Sequence, residues 1–302
     1  MADWVECVPN FSEGRDGAVL DRLRSAIEST DVRLLDQHAD PDHHRSVFTF
    51  VGHPGAVESG AIRAARVAVA EIDLRTHRGT HPRVGVTDVI PVVAMGRTAT
   101  ADCVDLARRL GERLWAELRV PVYFYGQAAS CPARRRLEAV RKHGFENLAA
   151  MVRRGQALPD IGGPQLHPTA GACCVGVRKV MVAFNVLIAA NDATAAKSIA
   201  KAVREASGGL PGIKALGVHL ASAGCAQVSM NVTDIERTPV HAAFDAVCEE
   251  AAERGVSVLG SELVGLAPRA ALGSDPRRLR IKGFHEGMLL ENRLAVRRRP
   301  AA

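Results

Sequence analysis

Two periods of apolar spacing take turns along this chain. Short runs with strand-like patterning occur at 4–9 (WVECVP), 32–36 (VRLLD), 46–52 (SVFTFVG), 84–93 (VGVTDVIPVV) and 120–126 (VPVYFYG). Between them, apolar residues recur every three to four positions and predict helices over 16–29, 54–72 and 99–118. The first of these puts Val19, Leu20, Leu23, Ala26 and Ile27 on one face. The second opens with Pro54 in its first turn, where the missing N–H has no partner to lose, and buries Val57, Ala61, Ala65, Ala68 and Ile72.

The second half repeats the order. A strand at 179–189 is followed by a helix with Asp192 as N-cap and Gly208-Gly209 as its stop. Strands follow at 214–221 and 226–232. Thr238-Pro239 then reads as an N-cap and first helical residue for a helix burying Val240, Phe244, Val247 and Ala251, and a strand at 256–264 closes the set. Both halves therefore read β-α-β-β-α-β, the split βαβ order of a ferredoxin-like unit, with one more helix and strand (99–126) extending the first. The predicted class is α+β: two such subdomains packed together with a ligand cleft between them. The Gly/Pro-rich stretch 158–174, LPDIGGPQLHPTAGACC, is poor in periodicity and is the expected seam. The expected domains are 1–175 and 176–302.

Composition narrows the classes. Hydrophobic residues make up 47% and charged residues 24% of the 302 positions, which supports a sizeable core. The tail RLAVRRRPAA thins into arginines and small residues and is expected to lack structure. The longest apolar stretch, 180–190, contains Asn185 and is too short to span a bilayer. The first residues lack a basic segment followed by an apolar run, so no signal peptide is expected. Seven scattered cysteines without C-x-x-C spacing suit a reduced, cytoplasmic protein without a zinc knuckle. A net charge of +6 admits nucleic acid, a membrane surface or an anionic small molecule, polycarboxylates among them.

Polar clusters sit at the predicted strand ends. In HRGTHPRVGVTDVIP (77–91), His77 and His81 have i, i+4 spacing, but Gly79 and Pro82 argue against a helix and no third ligand stands nearby, so a metal pair is disfavoured. His77 reads as a loop histidine with local hydrogen bonds. His81 has Pro82 holding its backbone extended, Arg83 beside it and Asp88 on the strand beyond. That setting suits general acid-base work near neutral pH, and a plain polar loop accounts for it equally well. In DQHADPDHHRSVFTF (36–50), ADPD is good hairpin-turn chemistry, and Arg45 at a strand end suits an anion. Asn10 follows the first strand in VPNFSEGR, where helix capping explains most of the pattern, and Tyr125 sits at a strand end with its hydroxyl toward a ligand or water. GGPQLHPTAG (162–171) is not a dinucleotide loop, yet a rigid loop with exposed N–H groups could line a flat heterocycle.

Seven segments in order carry a resemblance: VECVPNFSEGR (5–15), DHHRSVFTFVG (42–52), HRGTHPRVGVTDVIP (77–91), VPVYFYG (120–126), GVRKVMVAFNVLI (176–188), AQVSMNVTD (226–234) and GSELVGLAP (260–268). Together they resemble the glutamate formimidoyltransferases, the transferase part of formiminotransferase-cyclodeaminase. The resemblance implies two ferredoxin-like formiminotransferase subdomains with a folate cleft. It implies transfer of a formimino group from N-formimidoyl-L-glutamate to N5 of tetrahydrofolate, a co-substrate, with no metal. It makes His81, in the H-P-R triplet, the acid-base residue. It places the folate contacts on Gly162, Gly163, Pro164, Gln165, Leu166, His167, Pro168, Thr169, Ala170 and Gly171. Arg45, Arg83 and Arg178 become candidates for the substrate carboxylates, and Asn10, Asp88 and Tyr125 for further contacts. A homodimer is expected. With no cyclodeaminase segment in view, release of ammonia would fall to a separate protein.

The chain departs from that family's pattern. His44 replaces the usual Asn of D-H-N-R-S-V, Val92 and Ala94 replace Phe and Pro after D-V-x-P, and His38 stands where some relatives have Asp. If these positions line the cleft, the donor could differ. Formyl transfer from N-formylglutamate, or another folate one-carbon reaction, is one alternative. A non-catalytic folate-binding protein is another, and a nucleic-acid-binding ferredoxin-like module is a third, for which RSVFTFVG would be the RNP-like strand with Phe48 and Phe50 as stacking faces. Aromatics at 4% make such platforms scarce, so neither nucleic acid nor membrane is expected as a partner.

Overall fold

The computed structural model describes residues 4–296. Contacts divide the chain into two units, one ending at Arg178 and one starting at Lys179. Residues 297–302 of the arginine-rich tail lie outside the described residues.

The first unit opens with β1 (Val5–Cys7) and β2 (Asn10–Phe11), then α1 (Gly17–Glu28), β3 (Arg33–Asp40), β4 (Arg45–Gly52), α2 (Pro54–Glu71), β5 (Thr87–Ala94), α3 (Thr100–Leu118) and β6 (Val122–Gly126). Two short helices, α4 (Glu138–Arg141) and α5 (Gly144–Arg153), precede β7 (Cys173–Val177). Pro9, which has no N–H to give a ladder, separates β1 from β2, and the two pieces lie in line between β4 and β5. Across the sheet the order is β3, β4, β1 with β2, β5, β7, β6. The first four positions pair antiparallel, while β7 is parallel to both β5 and β6.

Period-2 alternation assigns the faces. Ile90 and Val92 of β5, Val122 and Phe124 of β6, and Cys173, Val175 and Val177 of β7 join Phe11, Phe48 and Phe50 in one core. That core is covered by α1, α2 and α3 through residues such as Leu23, Ile27, Val57, Ala61, Leu106 and Leu110. The intervening residues Val89, Tyr123, Tyr125 and Cys174 form a second, smaller core on the other face. Val140 of α4 and Leu148 and Val152 of α5 cover it. Burying a side chain of this size contributes roughly 1.5–3 kcal/mol, enough to hold a short helix that has little stability alone.

In the second unit, β8 (Val182–Ile188), α6 (Thr194–Val203), β9 (Ile213–Leu220), β10 (Cys225–Val232), α7 (Val240–Glu253) and β11 (Val258–Val264) follow in turn. The sheet order is β11, β8, β10, β9, antiparallel throughout. Val182, Phe184, Val186 and Ile188 share a face and pack with Ile199 and Phe244 of the two helices, the Phe184 and Phe244 rings meeting edge to face at 6.2 Å. Two short helices, α8 (Arg269–Leu272) and α9 (Leu290–Ala295), fall where no element was expected, and α8 extends this core through Ala271 and Leu272. No helix of the described residues is long and apolar enough to cross a membrane.

Several expectations need correction. The cap of α6 is Ala193; Asp192 instead accepts a bond from the Thr194 N–H at 2.6 Å, one residue out of register. α6 ends at Val203, where Arg204 turns extended, and Gly208 (φ 92°) closes the following 3₁₀ turn rather than the helix. Pro239 is the cap of α7, because the Thr238 hydroxyl donates to the carbonyl of Pro211 at 2.6 Å. The stretch 158–174 is no seam. Asp160 and Ile161 hydrogen-bond β6 at Val122, Gly171 bridges Gly85, and β7 crosses the expected 175/176 boundary between two strands of the first unit. Phe48 and Phe50 are fully buried, so neither offers a stacking face to a base.

Candidate active site

The hairpin joining β3 to β4 builds one wall of the site. Asp40 accepts the N–H groups of Asp42 and His43 at 2.9 and 2.8 Å, the local bonding that makes Asp a turn residue. His44 is left-handed (φ 50°), a conformation in which Asn and His are enriched, which gives a physical reason for an Asn-to-His exchange here. The turn ends at Arg45, the first residue of β4.

Against it lies the segment 73–86. His77 is buried and stacked on His44, with ring centroids 4.2 Å apart. Its Nδ1 accepts from the Arg83 Nε at 2.9 Å, so its Nε2–H donates to the His44 carbonyl at 2.9 Å. Both ring nitrogens are thus engaged, and burial holds His77 down to a pKa of about 4. Arg83 is committed as well: besides His77 it bonds the carboxylate of Glu146 on α5 and the Leu74 and His77 carbonyls. Its hydrogen bonds to Glu146 keep that carboxylate below its usual range.

His81 has different surroundings. It is partly exposed, and its Nε2 lies 2.8 Å from a terminal nitrogen of Arg45. Its Nδ1 lies 2.8 Å from the Pro82 carbonyl and 2.8 Å from a terminal nitrogen of Arg141. Arg141 is anchored by Asp88, 2.9 Å away, whose other oxygen accepts the Val84 N–H at 2.7 Å. The His43 ring stands 5.8 Å off, centroid to centroid. Burial, followed by the charges of Arg45 and Arg141, keeps the His81 imidazole neutral well below its ordinary pKa. Burial and then the Arg141 charge also lower Arg45, to about 9. A cavity of about 10 Å³, room for about one water, is lined by Ser12, His43, His44, Arg45, His77, His81, Arg83 and Asp88. The chemistry this allows is proton abstraction once Arg45 turns to a substrate anion: a neutral ring whose lone pair Arg45 occupies in this structure, between cations that favour an anion alongside.

The other expected residues are placed as follows. Asn10 is buried in β2 and donates to the Val8 carbonyl at 2.7 Å. Tyr125 is buried at the end of β6, which raises its phenol above the ordinary range. Arg178 follows β7, donates its N–H to the Val92 carbonyl at 3.2 Å, and its charge opposes the rise that burial gives the Glu6 carboxyl. The loop 162–171 has two parts. Gly162, Pro164, Gln165 and Pro168 are exposed, and Gly163, Leu166 and His167 are partly so. Thr169, Ala170 and Gly171 are knitted to the wall of the site: Leu74 N–H bonds the Thr169 carbonyl and Val86 N–H bonds the Ala170 carbonyl. Gly171 (φ 71°) lies so close to the Val84 carbonyl that a Cβ would collide with it. Arg45, His81, Arg83 and Asp88 are brought together, while Asn10, Tyr125, Arg178 and the exposed part of the loop are not among the cavity's lining. Val92 is wholly buried in the α1–α3 core and Ala94 packs against it, so these departures repack the core rather than line the cavity.

Arg141, His43 and Glu146 were missed by sequence reasoning. The signal for two of them was present, since Val140, Phe145, Leu148 and Val152 carry helix-like apolar spacing through a stretch where no element was predicted. Among the described residues, no group of three or more His, Cys, Asp or Glu is arranged to hold a metal ion.

Known proteins resemble this chain along most of its length. Residues 4–178 match the N-terminal subdomain of the formiminotransferase domain, and residues 183–276 match the formiminotransferase domain. The chain is 41% identical over 273 residues to a glutamate formimidoyltransferase of Streptococcus pyogenes serotype M1, covering 90% of this chain and 91% of that one. It is 42% identical over 294 residues to a glutamate formimidoyltransferase of Thermoplasma acidophilum, covering 96% and 97%. It is 40% identical over 279 residues to the formimidoyltransferase-cyclodeaminase of Rattus norvegicus, 51% of whose length is covered. The chain belongs to the formiminotransferase family.

Proposed function

We propose that this protein is a glutamate formimidoyltransferase, which moves the formimino group of N-formimidoyl-L-glutamate to N5 of tetrahydrofolate and releases L-glutamate. Two near full-length glutamate formimidoyltransferases at 41% and 42% identity support the assignment. The single structural observation that carries the mechanism is a neutral His81 held between Arg45 and Arg141.

N5 attacks the amidine-like carbon and gives a tetrahedral intermediate. The proton leaving N5 passes to His81, and the carbon–nitrogen bond to glutamate breaks as that nitrogen receives the proton back from the imidazolium. One neutral histidine does both in turn, and general acid-base help of this kind contributes about 10²–10⁴-fold. Holding donor and acceptor together supplies more, about 7–11 kcal/mol in favourable cases.

In this reading the stretch Gly162–Pro168 receives the folate, and Thr169–Gly171, of which Ala170 and Gly171 are buried, fixes it to the wall that carries His81. Both units are ferredoxin-like. The support is their strand order, since the second unit's β11, β8, β10, β9 corresponds element by element to β5, β1 with β2, β4, β3 of the first. The protein works in the cytoplasm, in keeping with seven free cysteines. The burial of Val92 and the packing of Ala94 remove two of the reasons to expect a formyl donor.

The test is to incubate the pure protein with tetrahydrofolate and either N-formimidoyl-L-glutamate or N-formyl-L-glutamate, and to identify the folate product by mass spectrometry. The formimino donor is expected to give the N5-substituted folate with the larger kcat/KM. Absence of product from both donors would overturn the assignment.

A further inference from the structure

Both nitrogens of the His81 ring face a guanidinium at 2.8 Å. A neutral imidazole has one lone pair and one N–H. With Nδ1–H on the Pro82 carbonyl, Nε2 accepts from Arg45. The Arg141 terminal nitrogen then donates to the Pro82 carbonyl and pairs by charge with Asp88, and finds no acceptor in the ring it touches. The Nε atoms of Arg45 and Arg141 are buried without any hydrogen-bond partner, as is Oδ2 of Asp88. The groups facing the ring are Arg45 on β4, Arg141 on α4 and His43 in the turn, with Asp88 on β5 held to Arg141 and Asp40 on β3 within electrostatic reach of Arg45. Among these groups two buried guanidinium donors stand against one buried carboxylate acceptor without a partner, and the excess of donors surrounds the proposed proton shuttle.

We infer that Arg45 and Arg141 are the two arms of a receptor for the α-carboxylate of the glutamate donor, and that its arrival is what allows His81 to hold a proton. This rests on the transferase reading above. A carboxylate offers oxygen acceptors to unpartnered guanidinium donors, a geometry in which arginine is favoured over lysine. The α-carboxylate stands one carbon from the nitrogen that must be protonated as glutamate leaves. Seating it on arms that already touch the ring puts that nitrogen beside His81. It also offsets one of the two positive charges that oppose an imidazolium, so the ring can take the N5 proton and return it to the departing nitrogen. Returning that proton leaves the ring neutral, and once glutamate departs the two cations keep it so, ready to act again as a base. Arg141 is thus a binding residue that also sets the ring's protonation, a role its distance in sequence conceals.

The experiment uses the full chain without folate, so that no turnover occurs, and L-glutamate as the probe. The protonation of His81 is followed by NMR on histidine carrying carbon-13 at Cε1, assigned with His81→Asn. Without glutamate the ring is expected to stay neutral across the accessible acid range. With saturating glutamate its midpoint is expected to rise by at least a unit, a tenfold gain in proton affinity. In Arg141→Gln the midpoint of the free protein is expected to rise, the glutamate-dependent shift to shrink, and glutamate to bind at least tenfold more weakly. Should that variant fail to fold, Arg45→Gln, which removes the other cation, is read the same way. Glutamate that binds without moving the His81 resonance would overturn the inference, as would an unchanged midpoint in the variant. Transfer activity measured in parallel separates the two claims: an active enzyme with an unresponsive His81 sinks only the receptor, whereas an inactive one sinks the transferase reading itself.

Discussion

Four residues apart, His77 and His81 do opposite things for reasons that are physical rather than positional. His77 has both nitrogens engaged, an aromatic stack on His44 and almost no exposure, so it fixes the turn. His81 keeps a partly exposed ring between two cations. The depressed pKa of His77 has a consequence for stability. The unfolded chain binds a proton at the ordinary value of about 6.5, whereas the folded chain binds one only at about 4. Between these values the unfolded state carries more protons, so this contribution is intact above the upper value and is lost as pH falls toward the lower one. With screening allowed for, the loss amounts to roughly 1–3 kcal/mol. Urea midpoints at about pH 7.5 and 5.0 should show a decline that is smaller in His77→Gln; an equal decline would mean that another group carries it. The local role of His77 was legible from Gly79 and Pro82, which forbid a helical metal pair. The partners of His81 were not. Arg141 lies sixty positions away and reaches the ring because Val140 is drawn into the second core; the apolar spacing marks the helix but not the ring that Arg141 meets.

At the scale of elements, the alternation of strand and helix periods was legible because one face of each sheet is packed against helices and a slip would expose apolar side chains. The parallel insertion of β7 between β5 and β6 was not. CCVGV is buried along its whole length, so it lacks the alternation that marks a half-buried strand, and it was absorbed into the Gly/Pro-rich stretch before it. The strip 84–86 shows the same limit, since it pairs with the loop at 170–172 rather than continuing β5. Gly85 is there because the Ala172 carbonyl leaves no space for a Cβ. Gly85→Ala should destabilise the protein by about 2 kcal/mol or more, a fall in Tm of roughly 4–8 °C. An unchanged Tm would show that the loop is not clamped to the site wall as described.

On the scale of the whole molecule, the net charge of +6 and the cluster of cations at His81 suit a substrate that carries two carboxylates. Raising salt from ~50 to ~500 mM should therefore raise KM for the formimino donor about two- to fivefold while leaving kcat nearly constant. A KM that ignores salt would contradict an electrostatic role for the arginines. The central claim is that His81 carries the proton in formimino transfer. It is tested most directly by the single-turnover transfer rate of His81→Ala, with folate affinity measured on the same preparation. The rate should fall at least about tenfold while folate affinity stays close to that of the unmodified protein. An equal loss of both, or an undiminished rate, would mean that His81 is part of the framework and not the shuttle.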